Sequence, residues 1–229
     1  MGIIANNTQE VRRRIETACK AAGRSVQSVT LLAVSKTFGP EAVRDAFAAG
    51  ERRFGENYVQ EGLDKIAAMA DLRSQIEWHL IGPLQANKTR AVAQAFDWVH
   101  SVDRLKIAQR LSEQRPEKLP PLQVCLQVNI SGEASKGGLA PADVLGVAQQ
   151  VASLPRLRLR GLMAIPEPAA DFETQRAPHR ALRELQGALN RHGLALDTLS
   201  MGMTADLEAA IAEGATTVRV GTAIFGARR

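Results

Sequence analysis

From residue 29 onward, short apolar runs alternate with longer segments in which apolar residues recur at helical spacing. The short runs fall at 29–35, 53–55, 77–81, 98–101, 122–130, 157–164, 198–201 and 217–221, and they read as eight strands. Between them, 40–49, 59–70, 87–95, 103–114, 141–154, 172–192 and 205–213 read as helices. Pro40 suits a first helical turn, and Gly50, Gly193 and Gly214 stand where helix C-caps belong. A further helix over about residues 8–21, stopped by Gly23, precedes the first strand and is expected on the bottom or side of the molecule.

Strictly alternating strands and helices imply parallel strands with crossover helices. Eight such units in 229 residues, with no break in composition and no long linker, predict an α/β fold. It is a single (β/α)8 TIM barrel over 1–229, with the extra N-terminal helix in 1–25 and the barrel in 26–229. A doubly wound open sheet is the alternative. It calls for a Gly-rich phosphate turn after an early strand, and neither GxGxxG nor GxxxxGK[ST] is present.

Composition narrows the function classes. Hydrophobic residues make up 45% and charged residues 23%, which sets aside disorder and fibrous repeats. The net charge of +5 is compatible with a small anionic ligand, but with aromatics at 4% and no basic–aromatic interleaving, nucleic acid is not an expected partner. Cys19 and Cys125 stand far apart without a CxxC pair, so neither a disulfide framework nor a zinc site is expected, and a reducing cytoplasmic location fits. The N-terminus lacks the apolar stretch of a signal peptide, Asn6 departs from a myristoylation pattern, and no apolar run approaches the length of a membrane span, so no membrane association is expected.

In such a barrel, chemistry belongs at the carboxyl ends of the strands. The first strand ends LLAVSK, placing Lys36 on the period-two face of Leu32 and Val34 at an apolar mouth. Desolvation there would favour a neutral amine able to attack a carbonyl; alternatively Lys36 snorkels from the rim into water. The turns after strands seven and eight, SMGMTADLEAA and VGTAIFGAR, bring Ser200, Gly221 and Thr222 to the pair of loops where barrels commonly hold phosphate, with Thr204 as a candidate N-cap; both also read as ordinary Gly-containing turns. Arg219 shares the inward face of Thr217 and Gly221 and needs an acceptor, either a carboxylate such as Glu56 or a ligand atom. An amine, an anion cradle and an inward guanidinium in one mouth match the aldehyde, phosphate and ring nitrogen of pyridoxal 5′-phosphate (PLP).

The segments LLAVSK, RFGENYVQE, WHLIGPLQANK, VNISGEASKGG, GLMAI, SMGMTADLEAAI and VRVGTAIFGAR, in this order over residues 29–228, resemble the pyridoxal phosphate homeostasis protein family, relatives of the alanine racemase N-terminal barrel. The resemblance implies Lys36 as the lysine carrying PLP as a covalent aldimine, Arg219 facing the pyridine nitrogen, and Ser200, Gly221 and Thr222 around the phosphate, with Asn57 and Met203 as neighbours. Thr204 departs from the family's SMGMSxD pattern but keeps a hydroxyl. His79 reads as a hydrogen-bonded core residue and stays outside the site.

The implied role is intracellular PLP homeostasis, in which the protein holds and supplies or buffers the cofactor without strong catalysis of its own. The expected partners are PLP and PLP-dependent apoenzymes as acceptors. A permanently protonated Arg219 opposite the ring nitrogen weakens an electron sink, and Tyr58, the sole tyrosine, reads as packing for the second helix. A weak PLP-dependent amino-acid racemase is the alternative, and a cofactor-free aldolase-like barrel using Lys36 is a third. Without the racemases' second domain and its dimer contacts, a monomer is expected. Lys136 is a candidate transient acceptor of PLP or a solvated loop lysine, and the basic run from Arg156 to Arg160 reads as a solvated rim at the opposite end.

Overall fold

The computed structural model describes residues 2–133 and 137–227 and is a closed parallel barrel whose eight strands neighbour one another in chain order. The strands are β1 (Thr30–Val34), β2 (Arg53–Glu56), β3 (Glu77–Leu80), β4 (Trp98–Val102), β5 (Leu122–Gln127), β6 (Leu157–Met163), β7 (Thr198–Ser200) and β8 (Thr217–Val220). The helices are α1 (Ile3–Ala21), α2 (Pro40–Ala48), α3 (Val59–Ala68), α4 (Thr89–Ala95), α5 (Leu105–Gln114), α6 (Val144–Ala152), α7 (Phe172–Arg191), α8 (Leu207–Ala212) and the short α9 (Thr222–Phe225). Closure comes from β1 pairing with β8, with Leu32 opposite Arg219 and Thr30 opposite Thr217.

Because successive side chains alternate between faces, each strand divides its residues between the barrel interior and the helix layer. The outward set, including Ala33, Phe54, Trp78, Leu80, Val99, Val124 and Val218, packs beneath the helices as the main core. The inward set is different. Leu32, Val34 and Ile81 form a small apolar cluster of their own. Beside it, His100 of β4 meets Ser200 of β7, a contact between non-neighbouring strands that only the barrel axis allows. Part of the interior is therefore polar, a departure from the branched aliphatic filling usual in this fold.

All eight expected strands are present, but the ends of several elements differ from the sequence expectation. β5 stops at Gln127 because residues 128–130 turn towards the following loop: Leu139 N–H donates to Gln127 C=O (2.8 Å) and Asn129 N–H to Leu139 C=O (2.9 Å). α8 begins at Leu207, and its cap position is occupied by Asp206, not Thr204. The Asp206 carboxylate accepts instead from Met203 N–H (2.7 Å) and from His179 (2.9 Å), tying the β7–α8 turn to α7. The helices expected at 87–95 and 141–154 open with 3-10 turns at Ala86–Lys88 and Pro141–Asp143, and α9 was not foreseen. The extra helix begins at Ile3 and packs on the side of the barrel against α2, α8 and α9. Lys136 lies outside the described residues.

Candidate functional site

The turns after β1, β2, β7 and β8 enclose a cavity of about 280 Å³ at the carboxyl ends of the strands. Lys36, Asn57, Met203, Arg219, Gly221 and Thr222 all line it, so six of the seven residues singled out in the sequence converge on one space. Parity explains the convergence at the first two strands. Val34 and Gly55 face inward, and Lys36 and Asn57, two residues further along, inherit that direction where the strands end.

The chain around Lys36 is fixed from outside the cavity. Ser35 points outward and its hydroxyl donates to Glu56 (2.5 Å). The buried ammonium of Lys65, on α3, donates to the Ser35 carbonyl (2.6 Å), Glu56 (2.8 Å) and Glu61 (2.7 Å). Glu61 also accepts from the Thr37 backbone N–H (2.5 Å), and Thr37 holds a left-handed φ of 69°, an uncommon conformation for a β-branched residue. Burial pushes the Glu56 carboxyl up, against the opposing pull of Lys65.

Glu56 is accordingly not the acceptor for Arg219, as the sequence reading allowed, because it occupies the outward face of β2. The Arg219 guanidinium donates to Ser200 C=O (2.6 Å), Ser200 Oγ (2.8 Å) and Ala164 C=O (2.8 Å), entirely within the barrel. Burial brings its pKa down to about 10, which leaves it a cation and a donor at neutral pH. Ser200 is the exception among the expected site residues. Its side chain is buried between Arg219 and His100, and it supports the guanidinium instead of lining the cavity.

Sequence reasoning passed over Phe38, Ile81, Ile165 and Thr204, which complete much of the cavity wall. Thr204 carried a readable signal, a hydroxyl in a β7 turn, but was assigned to capping. Tyr58 is 62% exposed, so it neither lines the cavity nor packs α3 as expected. His79 is buried with both ring nitrogens engaged. At the far mouth, Arg160 pairs with Asp197 (2.7 Å) and lies over the Trp98 ring, and Arg156 donates to Ser112 C=O (2.9 Å), so this basic run is bound into the rim, more than the simple solvated rim expected.

The family described as alanine racemase, N-terminal domain, matches residues 6–229 of this parallel barrel. Over its whole length the chain is 64% identical to the pyridoxal phosphate homeostasis protein of Pseudomonas aeruginosa, covering 97% of that protein, and 53% identical to that of Escherichia coli, covering 98%. A solved structure of PipY from Synechococcus elongatus with PLP bound is 38% identical and superposes with a TM-score of 0.85 over 97% of this chain and all of that one. The chain belongs to the pyridoxal phosphate homeostasis protein family.

Proposed function

We propose that the protein binds PLP in the cavity at the carboxyl ends of its strands, holds it through a Schiff base with Lys36, and supplies or buffers it for PLP-dependent apoenzymes. The observation that carries this reading is the convergence of Lys36, Asn57, Arg219, Gly221 and Thr222 on one cavity. The residues fit the group. Asn57 Oδ1 is buried without a hydrogen-bond partner among the described residues, an acceptor that a ligand hydroxyl would satisfy. At Gly221, a Cβ would come within 3.1 Å of the Val34 carbonyl, a tight contact that lets the end of β8 lie close against the end of β1 beside the cavity.

When bound, PLP supplies an aldehyde that condenses reversibly with an amine. The chain's own residues do the rest. Arg219, a cation at neutral pH, would be the donor facing the ring nitrogen, which would keep that nitrogen an acceptor and weaken any electron sink. The backbone and hydroxyl at Gly221 and Thr222, with Thr204 across the cavity, offer donors to a phosphate. Among the described residues lining the cavity, Lys36 is the one amine and there is no carboxylate, imidazole, thiol or phenol, whereas racemisation needs a proton-transferring group on each face of the substrate carbon. This favours carrying over turnover.

Purified protein mixed with PLP is expected to absorb in the visible range, and borohydride reduction followed by peptide mass mapping is expected to label Lys36. A colourless mixture, or a label confined to other lysines, overturns the reading. Steady turnover of L-amino acids that Lys36→Ala abolishes would establish the racemase-type alternative. Size measurement in solution is expected to give a monomer.

A further inference from the structure

A line of hydrogen bonds runs through the polar part of the barrel and ends on Arg219. From the lower mouth upward it comprises Glu77 Oε1 to His79 Nε2 (3.0 Å), His79 Nδ1 to His100 Nε2 (2.9 Å), His100 Nδ1 to Ser200 Oγ (2.7 Å) and Ser200 Oγ to Arg219 Nη1 (2.8 Å). Its acid end opens into a second cavity, of about 360 Å³, lined by Glu77, His79 and His100 at the amino ends of the strands.

The chemistry of the two ends fixes the direction of every bond between them. Burial raises the Glu77 carboxyl, but hydrogen bonds from His79 and Trp98 and the charge of Arg53 outweigh it and hold the group down to about 2, so Glu77 only accepts. Burial lowers both histidines below their ordinary value, the direction that favours a neutral ring with one N–H and one acceptor nitrogen. His79 must therefore carry its proton on Nε2, which makes its Nδ1 an acceptor. His100 must then donate from Nε2 and accept at Nδ1, and the Ser200 hydroxyl must donate to it. What remains on Ser200 is an oxygen lone pair for Arg219. A single carboxylate thus sets two tautomers and one hydroxyl rotor, in a water-poor interior where such bonds polarise one another. The other charged or titratable groups near the line are Arg53, Asp97, Arg160 and Asp197 at its lower end and Asp206 and Cys125 near Arg219.

We propose that Glu77, His79 and His100 are positioning residues that act through Ser200 to set how Arg219 presents its guanidinium to the ring nitrogen of bound cofactor. The proposal rests on the reading of Arg219 given above. It makes Glu77, on the wall of the lower cavity, a point from which the cofactor's environment is tuned, four hydrogen bonds away from Arg219.

The tautomers are tested without cofactor, by NMR of protein labelled with 15N-histidine at neutral pH. Both His79 and His100 are expected as neutral Nε2–H forms; an Nδ1–H or doubly protonated form of either overturns the assignment. The link to the site is tested on PLP-loaded variants. Glu77→Gln keeps an acceptor and is expected to retain the wild-type tautomers and spectrum. Glu77→Leu is expected to redistribute the His100 tautomer, move the visible absorption maximum, and change the rate of PLP release by about fivefold. A coloured wild type together with an unmoved spectrum and release rate in Glu77→Leu sinks the positioning role. A wild type that never colours sinks the PLP reading instead, and with it this use of the line. Should Glu77→Leu fail to fold, loss of the wild-type spectrum in Glu77→Gln despite unchanged tautomers also overturns the proposal.

Discussion

At the scale of single residues, the feature that governs Lys36 is a neighbour which the sequence does not advertise. Lys65 lies in an ordinary amphipathic helix pattern, yet its ammonium is 3% exposed and binds the carbonyl of Ser35 and the carboxylates of Glu56 and Glu61 on either side of the reactive position. Removing one partner of such a cluster strands a buried charge. Lys65→Met is therefore expected to cost about 3–5 kcal/mol in urea unfolding, and the double variant with Glu56→Gln to recover part of it. The clamp also predicts slower reductive labelling of Lys36 in Lys65→Met under conditions where the variant remains folded. His100 gives a pH prediction. Its folded-state pKa is depressed by burial, and then by the nearby His79 and Arg219, so below its ordinary value of 6.5 the unfolded chain takes up a proton that the folded chain does not. Stability should fall as the pH drops from about 6.5, and His100→Phe should flatten that part of the curve of unfolding midpoint against pH. Lys36 and Arg219 were legible because strand parity alone directs them inward. Lys65, His100 and the outward turn of Glu56 were not, because their roles depend on which strands and helices become neighbours after closure.

At the scale of elements, the period-two and helical patterns located every strand, since parallel strands buried on both faces are short continuous apolar runs bounded by turn residues. The ends were less legible. The apolar run after β5 continues through Ile130, but Val128 N–H still bonds to β6 while the backbone of Asn129 pairs with Leu139 and Gly132 in the following loop, which hydropathy does not reveal. The site depends on two close approaches between such ends. At Gly82, after β3, a Cβ would lie 2.1 Å from the Asn57 carbonyl oxygen, so the turn after β2 sits where it does because residue 82 has no side chain. Gly202, after β7, has a φ of +90° and would place a Cβ 2.4 Å from that of Ala210. Gly82→Ala is expected to displace Asn57 and weaken PLP binding severalfold, at a stability cost of about 1–3 kcal/mol. Gly202→Ala should cost as much and disturb instead the Met203–Thr204 side of the cavity. Titration of the visible absorbance beside urea melts separates the effects, and unchanged affinity in Gly82→Ala would refute the dependence of Asn57 on that contact.

At the scale of the whole molecule, α1 is, among the described residues, the one α-helix outside the repeating pattern, and its contacts give it a use. It lies against α8 and α9, the helices that follow the two turns assigned to the phosphate. Arg14 reaches from α1 to Glu208 (2.9 Å) and to the carbonyl of Thr204 in the cavity wall (2.9 Å), and Asn7 donates to the Ile224 carbonyl (3.0 Å). The helix thereby braces both turns from outside the barrel. Arg14 is partly exposed, so Arg14→Ala should lower the stability of the ligand-free protein by only about 1 kcal/mol. Its larger effect belongs to the bound state, because a looser cradle must be ordered when PLP binds. Binding at a free concentration of 100 times Kd stabilises a protein by about 2.7 kcal/mol. If the brace is worth tenfold in affinity, Arg14→Ala should show about 1.3 kcal/mol less stabilisation than wild type at the same free PLP concentration. Paired thermal melts with and without PLP read that difference directly, and equal increments in the two proteins would reduce α1 to a cover for the barrel's side.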